Sequence, residues 1–281
     1  MLRITILSEN TAARPDLVPE DGLSVFIETD HHKILMDSGW QDHFLDNAAA
    51  LGVDIAGVDT VILSHNHYDH GLSLPLFFDR RLDRGYRFYL SSDTLWPVFH
   101  RRADGSLTST GTGLTDGELI RRRIPHRYVE TPVFHLFADE PETALLSRFE
   151  RRCDFEPMLD EFRQKRGGVL VRDEFNHELA LALPAREGIV LLTGCAHSGV
   201  CNMILAAEER LGRPVIAVIG GTHLKASGPE RAMATIAFFN ERPQLATAAV
   251  CHCTGGPALA LFAAHCPAYH PVGAGSVLEF D

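Results

Sequence analysis

Four times along this chain an apolar run of strand character ends in a turn that carries histidine and then feeds a helix. Ile62-Leu63-Ser64 runs into His65-Asn66-His67-Tyr68-Asp69-His70, and Leu191-Leu192-Thr193 into Gly194-Cys195-Ala196-His197-Ser198-Gly199. Val218-Ile219 runs into Gly220-Gly221-Thr222-His223, and Ala249-Val250 into Cys251-His252-Cys253-Thr254-Gly255-Gly256. Strand–turn–helix units of this kind build α/β sheets, whose ligand sites lie beyond the carboxyl ends of the strands. The pattern predicts that histidines distant in sequence meet at one edge of the fold. With 15 histidines in 281 residues, that edge invites a search for a metal site.

The rest of the chain supplies the scaffold. Leu2–Leu7, Leu23–Thr29 and Lys33–Asp37 read as strands, the last two joined as a hairpin through Asp30-His31-His32. A helix is expected over Gln41–Leu51, closed by Gly52, and a short one near Asp93–Phe99. Residues 100–167 carry mixed charge, a Gly/Thr/Ser-rich stretch and no sustained strand pattern, so they read as an insertion, partly helical between Pro141 and Arg166. From Gly168 regular strands return. The helix after Gly199 places Val200, Met203, Ile204, Ala207 and Leu211 on one face, with Ser198 as its expected cap and Gly212 as its stop. The expected organisation is a single domain over 1–281 with the insertion at about 100–167.

Composition excludes several classes. Apolar residues make up 45% and charged ones 22%, which leaves ample core and argues against disorder. A net charge of −11 argues against nonspecific nucleic-acid binding. No apolar run reaches the ~18 residues of a membrane span. Met1–Leu7 alternates like a strand and has no signal-peptide core, and six scattered cysteines then read as reduced thiols of a cytoplasmic protein.

The first motif has a physical reading. His65 and His67, two apart in a turn leaving a strand, can reach one metal, while Asp69 and His70 lie around the bend and can reach a second. Imidazole nitrogen with carboxylate oxygen suits Zn, Fe or Mn better than Ca or Mg. His197, His252 and His223 complete a set large enough for two divalent ions, Zn being the first choice. His223 is either a ligand or a group that contacts substrate or orients a ligand.

His65-x-His67-x-Asp69-His70 on a chain of this length resembles the metallo-β-lactamase-fold superfamily, an αββα sandwich of two mixed sheets flanked by helices. Asn10, Gly22-Leu23-Ser24, Asp37-x-Gly39, Gly194-Cys195-x-His197-x-Gly199, Gly220-Gly221-x-His223-Leu224 and His252-Cys253-Thr254-Gly255 are similar to one subfamily. It is typified by 7,8-dihydropterin-6-ylmethyl-4-(β-D-ribofuranosyl)aminobenzene 5′-phosphate synthase. The resemblance implies a dinuclear site held by His65, His67, Asp69, His70, His197 and His252, with Asp69 and His223 in catalytic roles and Asp37 bridging or behind the ligands. Two departures stand out. The superfamily usually continues its first motif with Thr-Gly-Gly, where this chain has Gly71-Leu72-Ser73. The usual bridging Asp of the C-terminal half is missing, since no Asp occurs between Asp173 and Asp281. Solvent alone, the Cys195 thiol, or nothing then bridges the metals; solvent with His223 nearby is the favoured choice.

Three functions follow. The first is a metallo-hydrolase using metal-bound hydroxide on a small phosphorylated or ester substrate. The second is the subfamily's transferase reaction, coupling a dihydropterin diphosphate to a ribofuranosylaminobenzene phosphate with loss of diphosphate. The third is a non-catalytic or redox variant of the fold. The expected partner is a small, anionic molecule, with no nucleic acid or membrane and with homo-oligomerisation open. Arg121, Arg122 and Arg123, inside a locally basic stretch, are candidates to hold a substrate phosphate.

Overall fold

A computed structural model describes residues 1–281. Its strands form three sheets. The first runs in the spatial order β17 (Val277–Phe280), β1 (Leu2–Ser8), β2 (Ser24–Glu28), β3 (Lys33–Met36), β4 (Thr60–Ile62), β5 (Arg87–Leu90) and β8 (His126–Tyr128). The second runs β16 (Thr247–Val250), β15 (Val215–Gly220), β14 (Gly188–Thr193), β13 (Ala180–Ala185), β10 (Ala144–Leu146) and β9 (Val133–His135). A smaller third sheet holds β12 (Val169–Arg172), β11 (Phe162–Arg166), β6 (Val98–Arg101) and β7 (Leu107–Ser109). Both large sheets are mixed: β3-β4-β5-β8 and β14-β15-β16 run parallel, and the other pairs antiparallel.

Alternation along the strands decides the layering. Ile4, Ile6, Val25, Ile27, Met36 and Ile62 face Leu181, Leu183, Val190, Leu192, Ala217 and Ile219 across the middle of the sandwich. Their neighbours turn outward. Phe26, Leu35, Val61 and Phe88 bury the apolar stripes of helices α1 (His43–Leu51) and α3 (Leu74–Arg80), which follow the one-turn α2 (Tyr68–Gly71) or precede it. Ala182, Leu191, Val218 and Val250 bury α5 (Val200–Leu211), α6 (Pro229–Asn240) and α7 (Gly256–His265). The result is the expected αββα sandwich. No helix is long and apolar enough to cross a membrane.

Register brings the histidine turns together. Thr193, Gly220 and Val250, the last residues of β14, β15 and β16, are paired side by side, so the three following turns leave the sheet at one edge. The Leu179 N–H, just before β13, donates to the Ser64 carbonyl just after β4 at 2.7 Å. That bond ties the ends of the two sheets together and lays the first histidine turn beside the other three.

Residues 100–167 differ from the expected insertion in their structure. They supply β8 to the first sheet, β9 and β10 to the second, and β7 and β11 to the third. No helix lies between Pro141 and Arg166; the helix in this stretch is α4 (Asp116–Arg121). Strands of three to five residues are too short to show a period-2 pattern, so their pairing partners reveal them and their sequence does not. The cap of α5 also differs. Gly199 occupies the cap position at φ 94°, and the Glu156 carboxylate accepts from the Cys201 and Asn202 amides at 3.0 Å each. A carboxylate 45 residues upstream thus does the work expected of Ser198.

Candidate metal centre

The six histidine and aspartate side chains expected as ligands converge as two trios. His65 Nε2, His67 Nδ1 and His197 Nε2 form the first: His67 Nδ1 lies 3.2 Å from His65 Nε2 and 3.1 Å from His197 Nε2. Asp69, His70 and His252 form the second, with 3.1 Å between His70 Nε2 and His252 Nε2 and 3.4 Å between His252 Nε2 and Asp69 Oδ2. Within each trio the ligand atoms lie within 4.8 Å of one another. His65, His67, His70, His197 and His252 are all buried.

Polar neighbours fix which ring nitrogen faces inward. The buried Asp37 carboxylate receives His70 Nδ1 at 2.7 Å, the Ser64 hydroxyl at 2.6 Å and the Ser64 amide at 2.7 Å. The Ser64 oxygen in turn receives His65 Nδ1 at 2.9 Å. His252 Nδ1 lies 2.9 Å from Asn10 Oδ1, whose amide nitrogen is oriented by Asp21. Each outer nitrogen thus carries the proton, leaving the inner Nε2 atoms of His65, His70 and His252 available as lone-pair donors. Asp37 stands on the outer side of His70, behind the ring nitrogen that faces the second trio.

The residues fit a bound divalent metal. Nitrogen atoms that face one another at 3.1–3.2 Å, without enough protons to satisfy them all, are the arrangement a cation resolves. His67 Nε2 and His197 Nδ1 are buried without any hydrogen-bond partner, a cost tolerated where function requires it. Burial drives the His67 imidazole down to about 3 and holds His65 and His197 well below the ordinary value, so the first trio is uncharged at neutral pH. The second trio has a carboxylate. Burial opposes charge on His252, but the hydrogen bond to Asp69 together with the charges of Cys253, Asp69 and Asp21 outweighs it and pushes His252 up to about 9. In the same way Asp69, though buried, is held well below the usual carboxylate range by His252 and His70. A divalent cation would take the place of that shared proton.

Backbone strain is concentrated here. Asp37, Ala196, His223 and His252 all have φ between 51° and 61°, the left-handed region that side chains with a Cβ avoid. Such residues cost of order 1–3 kcal/mol each and persist where surrounding bonds over-determine them. The His197 turn is held by Glu178, whose buried carboxylate accepts the His197 and Ser198 amides at 2.7 Å each. Replacing Glu178 with Ala strands two buried amides, at about 1–3 kcal/mol apiece. The Glu178→Ala variant is expected to bind metal roughly 10–100-fold more weakly. Metal titration with a chelating indicator measures this, and unchanged affinity would remove Glu178 from the support of His197.

Sequence reasoning missed Glu178, and also His177 and Asp173. The Asn66 amide donates to His177 Nδ1 at 3.2 Å, and His177 Nε2 lies 3.1 Å from Asp173 Oδ2, so this buried pair holds the His65–His67 turn from behind. It missed Glu9 as well, which accepts the His252 amide at 2.8 Å. A pair of acidic and imidazole groups at Asp173-Glu178 was the only available signal, and nothing local connected it to Asn66.

The two trios open onto a cleft of about 330 Å³, lined among others by Tyr68, His100, Phe162, His223, Lys225 and Cys253. His223 lies in its wall with its ring centroid 4.2 Å from that of His197, outside both trios. Burial takes its imidazole down to about 4. Phe162, carried by β11 of the small sheet, packs on both His67 and His197, at 5.3 and 5.2 Å. The arginine triplet is elsewhere. Arg121 and Arg122 pair with Glu118, Arg122 also with Asp79, and none of Arg121, Arg122 and Arg123 lines the cleft. Their expected contact with a substrate phosphate is not supported at this cleft: Arg121 and Arg122 are engaged by Glu118 and Asp79, and Arg123 lies outside its lining.

A family model described as the metallo-beta-lactamase superfamily matches residues 17–211. The chain belongs to that superfamily. The fold of the metallo-beta-lactamases implies divalent metal binding, and the two trios are among the groups of close ligand atoms this member offers. A 7,8-dihydropterin-6-methyl-4-(beta-D-ribofuranosyl)-aminobenzene-5′-phosphate synthase from Methanocaldococcus jannaschii is 29% identical, over 86% of this chain and 84% of that protein. A second, uncharacterized protein from the same organism is 25% identical, over 91% and 92%. A solved metal-dependent hydrolase of the beta-lactamase superfamily superposes over 100% of both chains with a TM-score of 0.82 at 27% identity.

Proposed function

We propose that this metallo-beta-lactamase-fold protein is a hydrolase that holds two divalent ions, on His65, His67 and His197 and on Asp69, His70 and His252. Its substrate is a small phosphorylated or ester compound. The observation that carries this reading is the convergence of two separate trios of inward-facing ligand atoms on the floor of one open cleft. Two divalent ions held by these trios would supply Lewis acidity, lowering the pKa of a water toward about 7 and offsetting charge on reacting oxygens. Zinc suits the imidazole-rich donor set.

The chain's own groups do the rest. Asp69 supplies the one carboxylate among the inward-facing ligand atoms and can accept a proton hydrogen bond from a reacting water. His223, uncharged at neutral pH, stands beside His197 where it can donate to a substrate oxygen. Phe162 shields the first trio from bulk water. Lys225, in the wall of the cleft and 3.7 Å from Asp21, is the cation placed to meet an anionic substrate. Lys225→Glu is expected to raise KM for a phosphorylated substrate about tenfold, roughly 1.4 kcal/mol, with kcat little changed. Arg122→Glu should leave KM where it was. Equal effects of the two substitutions would refute the assignment of the anion site to the cleft wall.

The synthase relative favours a second reading, transfer of a pterin group from its diphosphate to an arylamine ribotide with release of diphosphate. There the same ions would neutralise the leaving group. Metal analysis of protein purified without chelator, followed by a panel of phosphodiester, phosphomonoester and lactone substrates, tests the first reading. Turnover in that panel supports hydrolysis; diphosphate release from a dihydropterin diphosphate, with no turnover in the panel, replaces it with transfer.

A further inference from the structure

We infer that the Cys195 thiolate is itself a metal ligand, joining the two trios where the chain has no second carboxylate to do so. This rests on the metal-binding role proposed above. Cys195 follows β14 by two residues and is buried, with its Sγ 3.2 Å from His70 Nε2. It shares one group of mutually close ligand atoms with His65 and His70, and another with His252 and Cys253. Its sulfur is therefore within reach of a histidine of the first trio and of two from the second. Apart from Asp69, no carboxylate belongs to any of these groups.

The backbone is built to hold that sulfur in place. Gly194 presses against the first histidine turn: a Cβ there would meet Ser64 Oγ at 2.2 Å and His65 Nδ1 at 3.0 Å. Ala196, on the other side, is in the left-handed region at φ 57°. The chain thus bends sharply on both sides of Cys195 and points it at the floor of the site. His70 Nδ1 is already engaged by Asp37, so the Nε2 facing the sulfur is a lone pair. An S–H bond to His70 satisfies the pair without a metal. With a divalent ion bound, Cys195 gives up its proton to solvent and sulfur, nitrogen and carboxylate share the cation. Cys253 shares a group with Cys195 and His252, but it stands in no group with His65 or His70 and its thiol donates to the Cys195 carbonyl at 3.4 Å, so it is placed as the neighbour of the ligand set. A thiolate at this position makes the site more selective for zinc than one built from nitrogen and oxygen alone.

X-ray absorption on the zinc-loaded full-length wild-type chain is expected to show a sulfur neighbour at about 2.3 Å. The cobalt-substituted protein should show a thiolate-to-cobalt charge-transfer band that disappears in Cys195→Ser and persists in Cys253→Ser. Cys195→Ser should also bind the second metal equivalent at least about tenfold more weakly. Metal bound through nitrogen and oxygen alone, or a band lost in Cys253→Ser and kept in Cys195→Ser, overturns this inference while leaving the proposed hydrolase intact. A chain that takes up no metal overturns both. The wild-type absorption measurement decides the matter even if Cys195→Ser fails to fold.

Discussion

His67→Ala is expected to lose metal and activity together. His67 Nδ1 is the shared corner of the first trio, within 3.2 Å of both His65 Nε2 and His197 Nε2, so its removal leaves two imidazoles where three converge. Loss of a partner behind a metal ligand costs roughly 10–100-fold in affinity or activity, and loss of the ligand itself should exceed that. The folded chain without metal should tolerate the change, because His67 Nε2 is buried without a partner and the removed ring relieves that cost. Metal at a hundred times its dissociation constant stabilises the wild type by about 2.7 kcal/mol, which chelation should remove as a fall in Tm of roughly 5–10 °C. In His67→Ala the chelator should cause a smaller fall. Elemental analysis, turnover and paired melting curves check the three parts. A variant with full metal content and wild-type rate would exclude the first trio from the catalytic site.

The second large effect is at Asp37. Its carboxylate receives the Ser64 amide, the Ser64 hydroxyl and His70 Nδ1, and all of these groups are buried. Asp37→Ala leaves three buried donors unpaired in the core, at about 1–3 kcal/mol apiece. The expected fall in Tm is on the order of 10 °C. Asp37→Asn separates stability from metal binding. The amide keeps the shape and can still accept from Ser64, but its NH2 faces His70 Nδ1 and favours the tautomer with the proton on Nε2. That proton would point at His252 Nε2 and Cys195 Sγ, where the lone pair is needed. The asparagine variant should melt closer to wild type yet bind the second metal roughly 10–100-fold more weakly. Melting curves and metal titration on both variants measure the split; equal metal affinity in wild type and Asp37→Asn would show that Asp37 serves packing alone.

The sequence by itself determined the αββα class and the edge at which the histidines gather. The edge follows from local rules, apolar strands ending in turns and a spacing of two residues between His65 and His67 that puts both rings on the same side of one turn; the αββα class follows from the resemblance of those motifs to the metallo-β-lactamase superfamily. It also singled out Asp37 and Cys195, though not which nitrogen or sulfur would face inward. Only the tertiary structure decided that Glu178 holds the His197 turn, that Asp173 and His177 hold Asn66, and that Glu156 caps α5. It alone moved Arg121, Arg122 and Arg123 away from the cleft and put Lys225 in its wall. The physical reason is range. A strand end or a turn is set by residues within a few positions of each other. A hydrogen bond from Asn66 to His177 joins groups 111 positions apart, and it exists only because one sheet has closed over the other.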